Sequence, residues 1–397
     1  MYGAGSVGRG FIGPLFANAG YEVVFVDVNR SIVDAFNARH SYEVAVATDL
    51  TADLTSVPPA EPARAVPVKG ARGIDGANEQ AVIDEIVNCD IMATALGAAI
   101  LQKAAPLIAK GFSERIKRNS RPLDLLICEN LKDAAHLLRG WISGTLPEED
   151  KPLLSELGLI ETAIGRMIPA AVPNTDDPLC ITVEEYGFLP VDKAAFVNKP
   201  PEVPGLVPYE PFAFYEERKL YLHNMGHAIC AYLGKRKGFK TIAEAIADPA
   251  VRLLTQSAMT ESAAMLSIKY FVPFNKVFDH AEDLLLRFGN AALGDTCERV
   301  GRDVTRKIAA GDRLAGALCQ CQEYGVYPVY IALGYAAALR DITDDKTAAE
   351  KIARETGGLN DKQTSLVIPL FNRLDSPLNG LIRFAELLKK NLRGNIV

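Results

Sequence analysis

The sequence predicts two domains of different class: an α/β domain over residues 1–199 and a mainly α-helical domain over residues 200–397. Three observations lead there. Strand-like apolar runs alternate with helical patterns from the first residues to Asn130, as in a parallel sheet with crossover helices. The segment Asn198-Lys-Pro-Pro-Glu-Val-Pro-Gly-Leu-Val-Pro208 carries four prolines in eleven residues, a stiff connection that suits a domain boundary. Beyond it the chain reads as almost all helix.

The α/β domain opens on Gly3-Ala-Gly-Ser-Val-Gly8, which fits G-x-G-x-x-G. That motif alone is weak, but its context is specific. A helical pattern follows (Phe11, Ile12, Leu15, Phe16, Ala19), then Gly20, then the strand Tyr21–Asp27. Asp27 lies 24 residues after Gly3, where a Rossmann-type dinucleotide-binding fold places the acid that holds the adenosine ribose. An acid there repels a 2′-phosphate, so NAD is expected rather than NADP. The glycines admit the pyrophosphate, and the helix N-terminus offers N–H groups and a positive dipole end. The expected cofactor residues are Gly3, Ala4, Gly5, Ser6, Val7, Gly8 and Arg9, with Asp27, Asn29 and Gly97. Only Met1 and Tyr2 precede the fingerprint. The first strand is therefore either very short or begins before the recorded start; a normal strand runs about five residues.

Further along, Val44–Val46 reads as a short strand and residues 50–62, rich in Pro and Thr, as a loop. Ala63–Val68 reads as another short strand, confined to an edge by Pro67. A helix is expected over Glu79–Val87. Asp90–Leu96 reads as a buried strand ending at Gly97, followed by a helix to about Arg118. Asp124–Asn130 reads as the next strand. Gly97 and Asn130 thus fall at the carboxyl edge of a parallel sheet, where ligands bind. Residues 158–199 do not look like a further βαβ unit; Leu159–Ile168 and Leu179–Tyr186 are expected as extra, antiparallel strands. The helical domain is expected to hold helices over 212–237, 240–247, 249–267, 275–289, 298–309, 311–323, 328–340, 346–355 and 376–392.

Composition excludes several classes. The chain has 397 residues, 49% apolar and 23% charged, enough for two or three domains with sizeable cores. A formal charge of −6 argues against nucleic-acid binding. No apolar run reaches membrane-spanning length, so no membrane association is expected, and no signal peptide is visible. Seven scattered cysteines, with no C-x-x-C, read as reduced thiols of a cytoplasmic protein. Only His223 and His227 are close among five histidines, and no acid or cysteine beside them completes a metal site.

The chemistry is expected at Lys219-Leu-Tyr-Leu-His-Asn-Met-Gly-His227. On a regular helix, with Lys219 at zero, His227 falls at about 80° and Asn224 at about 140°. One broad face can then present an amine, a carboxamide and an imidazole, though spacing alone favours a plain, partly buried amphipathic helix. Gly226 inside a helix costs about 1 kcal/mol relative to alanine, so close approach of a ligand or another backbone is expected there. Between Arg299 and Arg313, helical spacing puts Arg299, Arg302 and Arg306 on one face, and arginines suit phosphate. A solvated basic helix explains that run as well.

Taken in order, Gly3–Phe11, Asn37-Ala-Arg-His-Ser-Tyr42, Cys128-Glu-Asn130, Lys219–His227, Glu298-Arg-Val-Gly-Arg302 and Ala310-Gly-Asp-Arg-Leu314 resemble the polyol-specific long-chain dehydrogenase/reductase family over essentially the whole chain. The shorter length and the Cys-Glu-Asn triplet resemble its mannitol-phosphate branch rather than the mannitol 2-dehydrogenases. The resemblance implies metal-independent, NAD-dependent, reversible oxidation of D-mannitol 1-phosphate to D-fructose 6-phosphate, by a monomer. It implies Lys219 as general acid/base, Asn130 and Asn224 as donors to the alkoxide, His227 on a substrate hydroxyl, and Glu129 relaying or gating protons. It also implies Arg299, Arg302 and Lys307 around the sugar and its phosphate. A free lysine titrates near 10.4, so burial or positive neighbours must lower it for this role. Where the family usually has Asp-Arg-Ile, this chain has Gly165-Arg-Met. That departure keeps an unphosphorylated polyol or a sugar acid open as substrate. A non-catalytic NAD-binding regulator is the alternative of another class, supported only by the short first strand.

Overall fold

The computed structural model describes residues 1–47, 64–119, 121–168 and 177–394. They form two compact units, one ending at Tyr215 and the other beginning at Glu216. The expected loop at 50–62 lies outside the described residues. Among the described residues no helix is long and apolar enough to cross a membrane.

The first unit is a Rossmann-like α/β domain. Its strands are β1 (Val23–Asp27), β2 (Ser41–Val46), β3 (Arg64–Lys69), β4 (Ala71–Asp75), β5 (Met92–Thr94), β6 (Leu123–Ile127), β7 (Leu157–Glu161), β8 (Ile181–Val183), β9 (Leu189–Asp192) and β10 (Leu206–Tyr209). β1 pairs in parallel with β4, and β6 pairs in parallel with both β5 and β7. Tyr2 bridges Val26 on one side and Thr94 on the other, both in parallel sense. The tripeptide Met1–Gly3 therefore occupies the central strand position, and the order across the sheet is β4, β1, Met1–Gly3, β5, β6, β7. This is the doubly wound dinucleotide-binding order, with its switch point between Tyr2 and β5. A cavity of about 540 Å³ lies beside the tripeptide, lined by Met1, Val24, Phe16, Ile86, Cys89 and Ile91 among others.

Several expectations are corrected here. Residues 157–161 do complete a βαβ unit: the helix Ala134–Thr145 crosses from β6 to β7, which is parallel, not antiparallel. That helix lies in a stretch with no strong boundary signal. β8 is also parallel, against β2. β4 has no clear strand pattern in the sequence, because Arg72 and Gly73 break its apolar run. Gly73 is needed there, since an added Cβ would stand 2.9 Å from the Cα of Val33. β3 does sit at an edge, with Pro67 facing Glu43 across an antiparallel ladder. The proline-rich connection belongs to the first unit because β10 pairs with β9, so that unit runs past the expected boundary at 199.

The second unit is helical. Its centre is the helix Met225–Lys237, whose residues Ala228–Gly234 are all buried. Gly238, at φ +80°, ends it, with Lys235, Arg236 and Lys237 in the last turn, where cations favour the dipole. Around it pack the helices Pro249–Tyr270 and Val329–Arg340. The helix Asp361–Phe371 lies outside the expected set, because Pro369 interrupts its pattern. At Gly226 the close neighbour is a side chain and not a backbone: an added Cβ would stand 2.6 Å from the Sδ of Met259. Two of these helices cross closely at Gly334, where an added Cβ would stand 2.3 Å from the Cγ1 of fully buried Ile229. Gly334→Ala is expected to lower stability by about 1–3 kcal/mol through overpacking. A urea midpoint unchanged from wild type would mean that these helices separate without cost.

Candidate active site

At the carboxyl edge of the first unit, the three fingerprint glycines divide by cause. Gly3 has φ +103°, and a Cβ there would stand 2.4 Å from the carbonyl oxygen of Ala95. A Cβ on Gly8 would stand 2.2 Å from the carbonyl oxygen of Gly3. The fold itself requires both. Gly5 is exposed, and a Cβ there would meet nothing within 4 Å. Its bareness is not demanded by any protein neighbour, which fits close approach of a pyrophosphate. Ser6 and Val7 begin the following helix, which passes into a π-turn over Gly8–Ile12.

Asp27 ends β1 beside this loop. One carboxylate oxygen accepts from the Ala4 N–H at 2.8 Å and the other from the Asn29 N–H at 2.9 Å. Asn29 caps the helix Arg30–Arg39, its side chain accepting from Ser31. Arg9 turns its guanidinium back, donating to the carbonyls of Ala4 at 2.6 Å and Pro178 at 2.5 Å. In this structure Arg9 braces the loop. Gly97 stands at φ +84° with open space where a Cβ would be.

Glu129 is buried after β6, and its two oxygens accept from the backbone N–H groups of Leu96 (2.8 Å) and Gly97 (2.7 Å). These bonds hold the turn after β5. Asn130, next in the chain, is exposed. Gly165 lies in the segment after β7, and an added Cβ there would stand 3.1 Å from the Tyr186 ring.

In the second unit, the Lys219 stretch is not a uniform α-helix. An α-turn over Ala213–Glu217 passes into a π-helix over Arg218–Asn224 before α-geometry resumes at Met225. A π-turn closes between residues five apart. Lys219 and Asn224 have that spacing, so they stand one above the other instead of about 140° apart on an α-helix. Both are half-buried, as is His227. The His227 ring stacks on Phe288 with centroids 4.7 Å apart and planes within 11°. His223, fully interior, is driven well below the usual imidazole range by burial and by the nearby charges of Arg287, His227, His280 and Lys219. His280 is pushed down to about 2 by burial, Arg218 and Arg287.

The expected basic face does not form. The helix Cys297–Gly301 ends at Arg302, Asp303 adopts a left-handed φ of 56°, and a new turn starts at Val304. Arg299 and Arg302 are therefore not aligned with Arg306. Arg299 donates from Nε (2.8 Å) and Nη2 (2.5 Å) to one oxygen of Asp295. The other Asp295 oxygen lies 3.2 Å from His227 Nε2, off the line of a well-formed hydrogen bond. Asp295 was absent from the sequence expectations; its spacing of four before Arg299 was the available signal. Arg302 is exposed. Lys307 is buried, with its ammonium donating to the Val300 carbonyl. Burial, then Arg313 and Arg306, push Lys307 down to about 8.

Comparison with known proteins is consistent over the chain. Residues 1–205 match the mannitol dehydrogenase Rossmann domain, and residues 212–369 match the mannitol dehydrogenase C-terminal domain. Among solved structures, the chain is similar to the Pseudomonas fluorescens mannitol 2-dehydrogenase in ternary complex with NAD and D-mannitol. Identity is 16%, coverage is 98% of this chain and 93% of that one, and the TM-score is 0.71. It is also similar to a D-sorbitol dehydrogenase in substrate-free form, at 15% identity, 96% and 93% coverage and a TM-score of 0.74.

The paired bonds at Glu129 have a measurable consequence. Glu129→Gln replaces one acceptor oxygen by an N–H₂ group facing a backbone N–H. The turn at Leu96–Gly97 is expected to lose about 1–3 kcal/mol, with a lower melting temperature and several-fold weaker dinucleotide binding. An unchanged melting temperature would remove Glu129 from this holding role.

Proposed function

This chain belongs to the mannitol dehydrogenase family, and on that premise we propose that it is an NAD-dependent dehydrogenase interconverting D-mannitol 1-phosphate and D-fructose 6-phosphate, of the mannitol-1-phosphate 5-dehydrogenase type. The observation that supports the reading is the π-turn over Arg218–Asn224, whose five-residue spacing brings Lys219 and Asn224 to one side of the helix, one turn apart. Bound NAD supplies the hydride acceptor, or as NADH the donor. The open approach at Gly5 and the Asp27 carboxylate suit its pyrophosphate and ribose.

The chain's own groups do the rest. Lys219 takes the hydroxyl proton in oxidation and returns it to the carbonyl oxygen in reduction. Asn224 and Asn130 donate amide N–H bonds to that oxygen as charge develops on it. His227 takes a neighbouring substrate hydroxyl. Glu129, buried behind Gly97, keeps the turn after β5 in place while the proton moves. Arg299, Arg302 and Lys307 provide the cationic side for the phosphate.

An unphosphorylated polyol is the second reading. Gly165 motivates it, together with the pairing of Arg299 by Asp295, which leaves less free charge for a phosphate. Purified protein given NADH with fructose 6-phosphate, and separately with fructose, decides between them. Turnover with the phosphate at a kcat/KM at least tenfold higher is expected; a preference for fructose would overturn the phosphate assignment.

Lys307 adds a pH signature. Its ammonium must be charged to hold a phosphate, and that charge is lost as pH rises through about 8. The KM for fructose 6-phosphate is therefore expected to climb several-fold from pH 7 to pH 9, while Lys307→Arg flattens the climb. A wild-type KM that is level across this range would exclude Lys307 from phosphate binding.

A further inference from the structure

Asp295 is placed by its backbone before its side chain makes any contact. Gly294 turns the chain at φ +58°. The Asp295 carbonyl accepts from the Ile242 N–H at 2.9 Å, and Cys297 N–H donates to the Lys240 carbonyl at 2.9 Å. Thr241 and Thr296 form an antiparallel bridge between those bonds. The Thr296 hydroxyl then caps the next helix, accepting from the Arg299 N–H at 3.1 Å. The residue is thus pinned from both sides, and its side chain is only 10% exposed.

The two carboxylate oxygens are divided between two partners. Oδ1 receives both Arg299 bonds, and Oδ2 faces Nε2 of His227 at 3.2 Å. An isolated Asp–Arg pair four apart on a surface would contribute little. Here the acid is interior and shared; Arg299 is 43% exposed and keeps water when the acid is removed, whereas the interior His227 loses the charge that faces it. Burial pushes the Asp295 carboxyl up, but contact with His227 and Arg299 outweighs it and holds the group below the usual range, ionised.

We propose that Asp295 is a positioning residue that fixes His227 and Arg299 in one frame, so that His227 meets the substrate through Nδ1. The ring plane is set by Phe288, and Nε2 is sealed from solvent on the Asp295 side. A carboxylate at Nε2 favours the tautomer with its proton there. Nδ1 is then a lone-pair acceptor. It reads the hydrogen of a substrate hydroxyl and does not donate to the reacting oxygen. Arg299 keeps Nη1 for the substrate, with its other edge held. This deepens the dehydrogenase reading and rests on it for the identity of the substrate.

The test uses the full-length protein. Asp295→Asn keeps the shape but presents an amide to Nε2. With NADH and whichever of fructose 6-phosphate and fructose the wild type prefers, the KM for the sugar is expected to rise tenfold or more. The change in kcat should stay under fivefold, with NADH affinity unchanged. Combining it with Arg299→Gln should cost less than the product of the two single effects, because each variant breaks the same contact. His227→Asn, which keeps a polar atom near the Nδ1 position, should retain more activity than His227→Gln. An unchanged KM in Asp295→Asn, multiplicative effects with Arg299→Gln, or a better Gln than Asn at 227 would each overturn the proposal. Long-range ¹H–¹⁵N spectra of the imidazoles give a readout free of turnover: His227 should be Nε2-protonated in the wild type and altered in Asp295→Asn. A wild type inactive on both sugars would refute the dehydrogenase reading alone, and the ring spectra would still decide the role of Asp295.

Discussion

Three residues hold the two halves of the parallel sheet together. Met1 accepts from the Val26 N–H and donates its amine to the Val24 carbonyl; Gly3 N–H donates to Val26. On the other side, Tyr2 donates to Ala93 and accepts from Ala95. Everything the cofactor edge needs follows from that placement. Gly3 can leave the sheet only at positive φ, under the carbonyl of Ala95 and over the start of the next helix. A side chain at Gly3 would press on the Ala95 carbonyl after β5, and one at Gly8 would push the helix away from the Gly3 carbonyl. The turn at Leu96–Gly97, held by Glu129, is built on the same pair of strands.

A similar economy governs the second unit. A single wide turn in one helix, Arg218–Asn224, brings the Lys219 and Asn224 positions to one side. The buried helix Met225–Lys237 then carries His227 onward from a rigid base. π-turns are rare and cluster at functional sites because they cost regular hydrogen bonding. The surrounding imidazoles, His223 and His280, are kept uncharged by burial and nearby cations. Asp295 balances this positive neighbourhood with one interior negative charge facing His227 and Arg299.

Sequence made some of this legible and not the rest, for physical reasons. The fingerprint and Asp27 were readable because turn geometry, helix N-terminus and ribose-binding acid impose a fixed spacing. Most helices were readable from period and caps, as with Gly238. β4 and the crossover helix Ala134–Thr145 were not, because an Arg-Gly interruption and weak boundaries hid them. The π-turn was invisible because an apolar pattern of period 3.6 barely registers one widened turn. The break at Arg302–Asp303 depends on a left-handed aspartate, a conformation few non-glycine residues adopt. The neighbour that crowds Gly226 is the flexible Met259 side chain, a tertiary contact that no local pattern encodes.

In the proposed reaction Lys219 moves the proton while separate groups hold the dinucleotide. NADH binding and turnover measured on the same samples of wild type and Lys219→Ala test it most directly. NADH affinity is expected to stay within about twofold of wild type while turnover falls about 10²–10⁴-fold, the size of a lost general acid/base. Turnover that survives the substitution would contradict it and move the proton transfer to another residue.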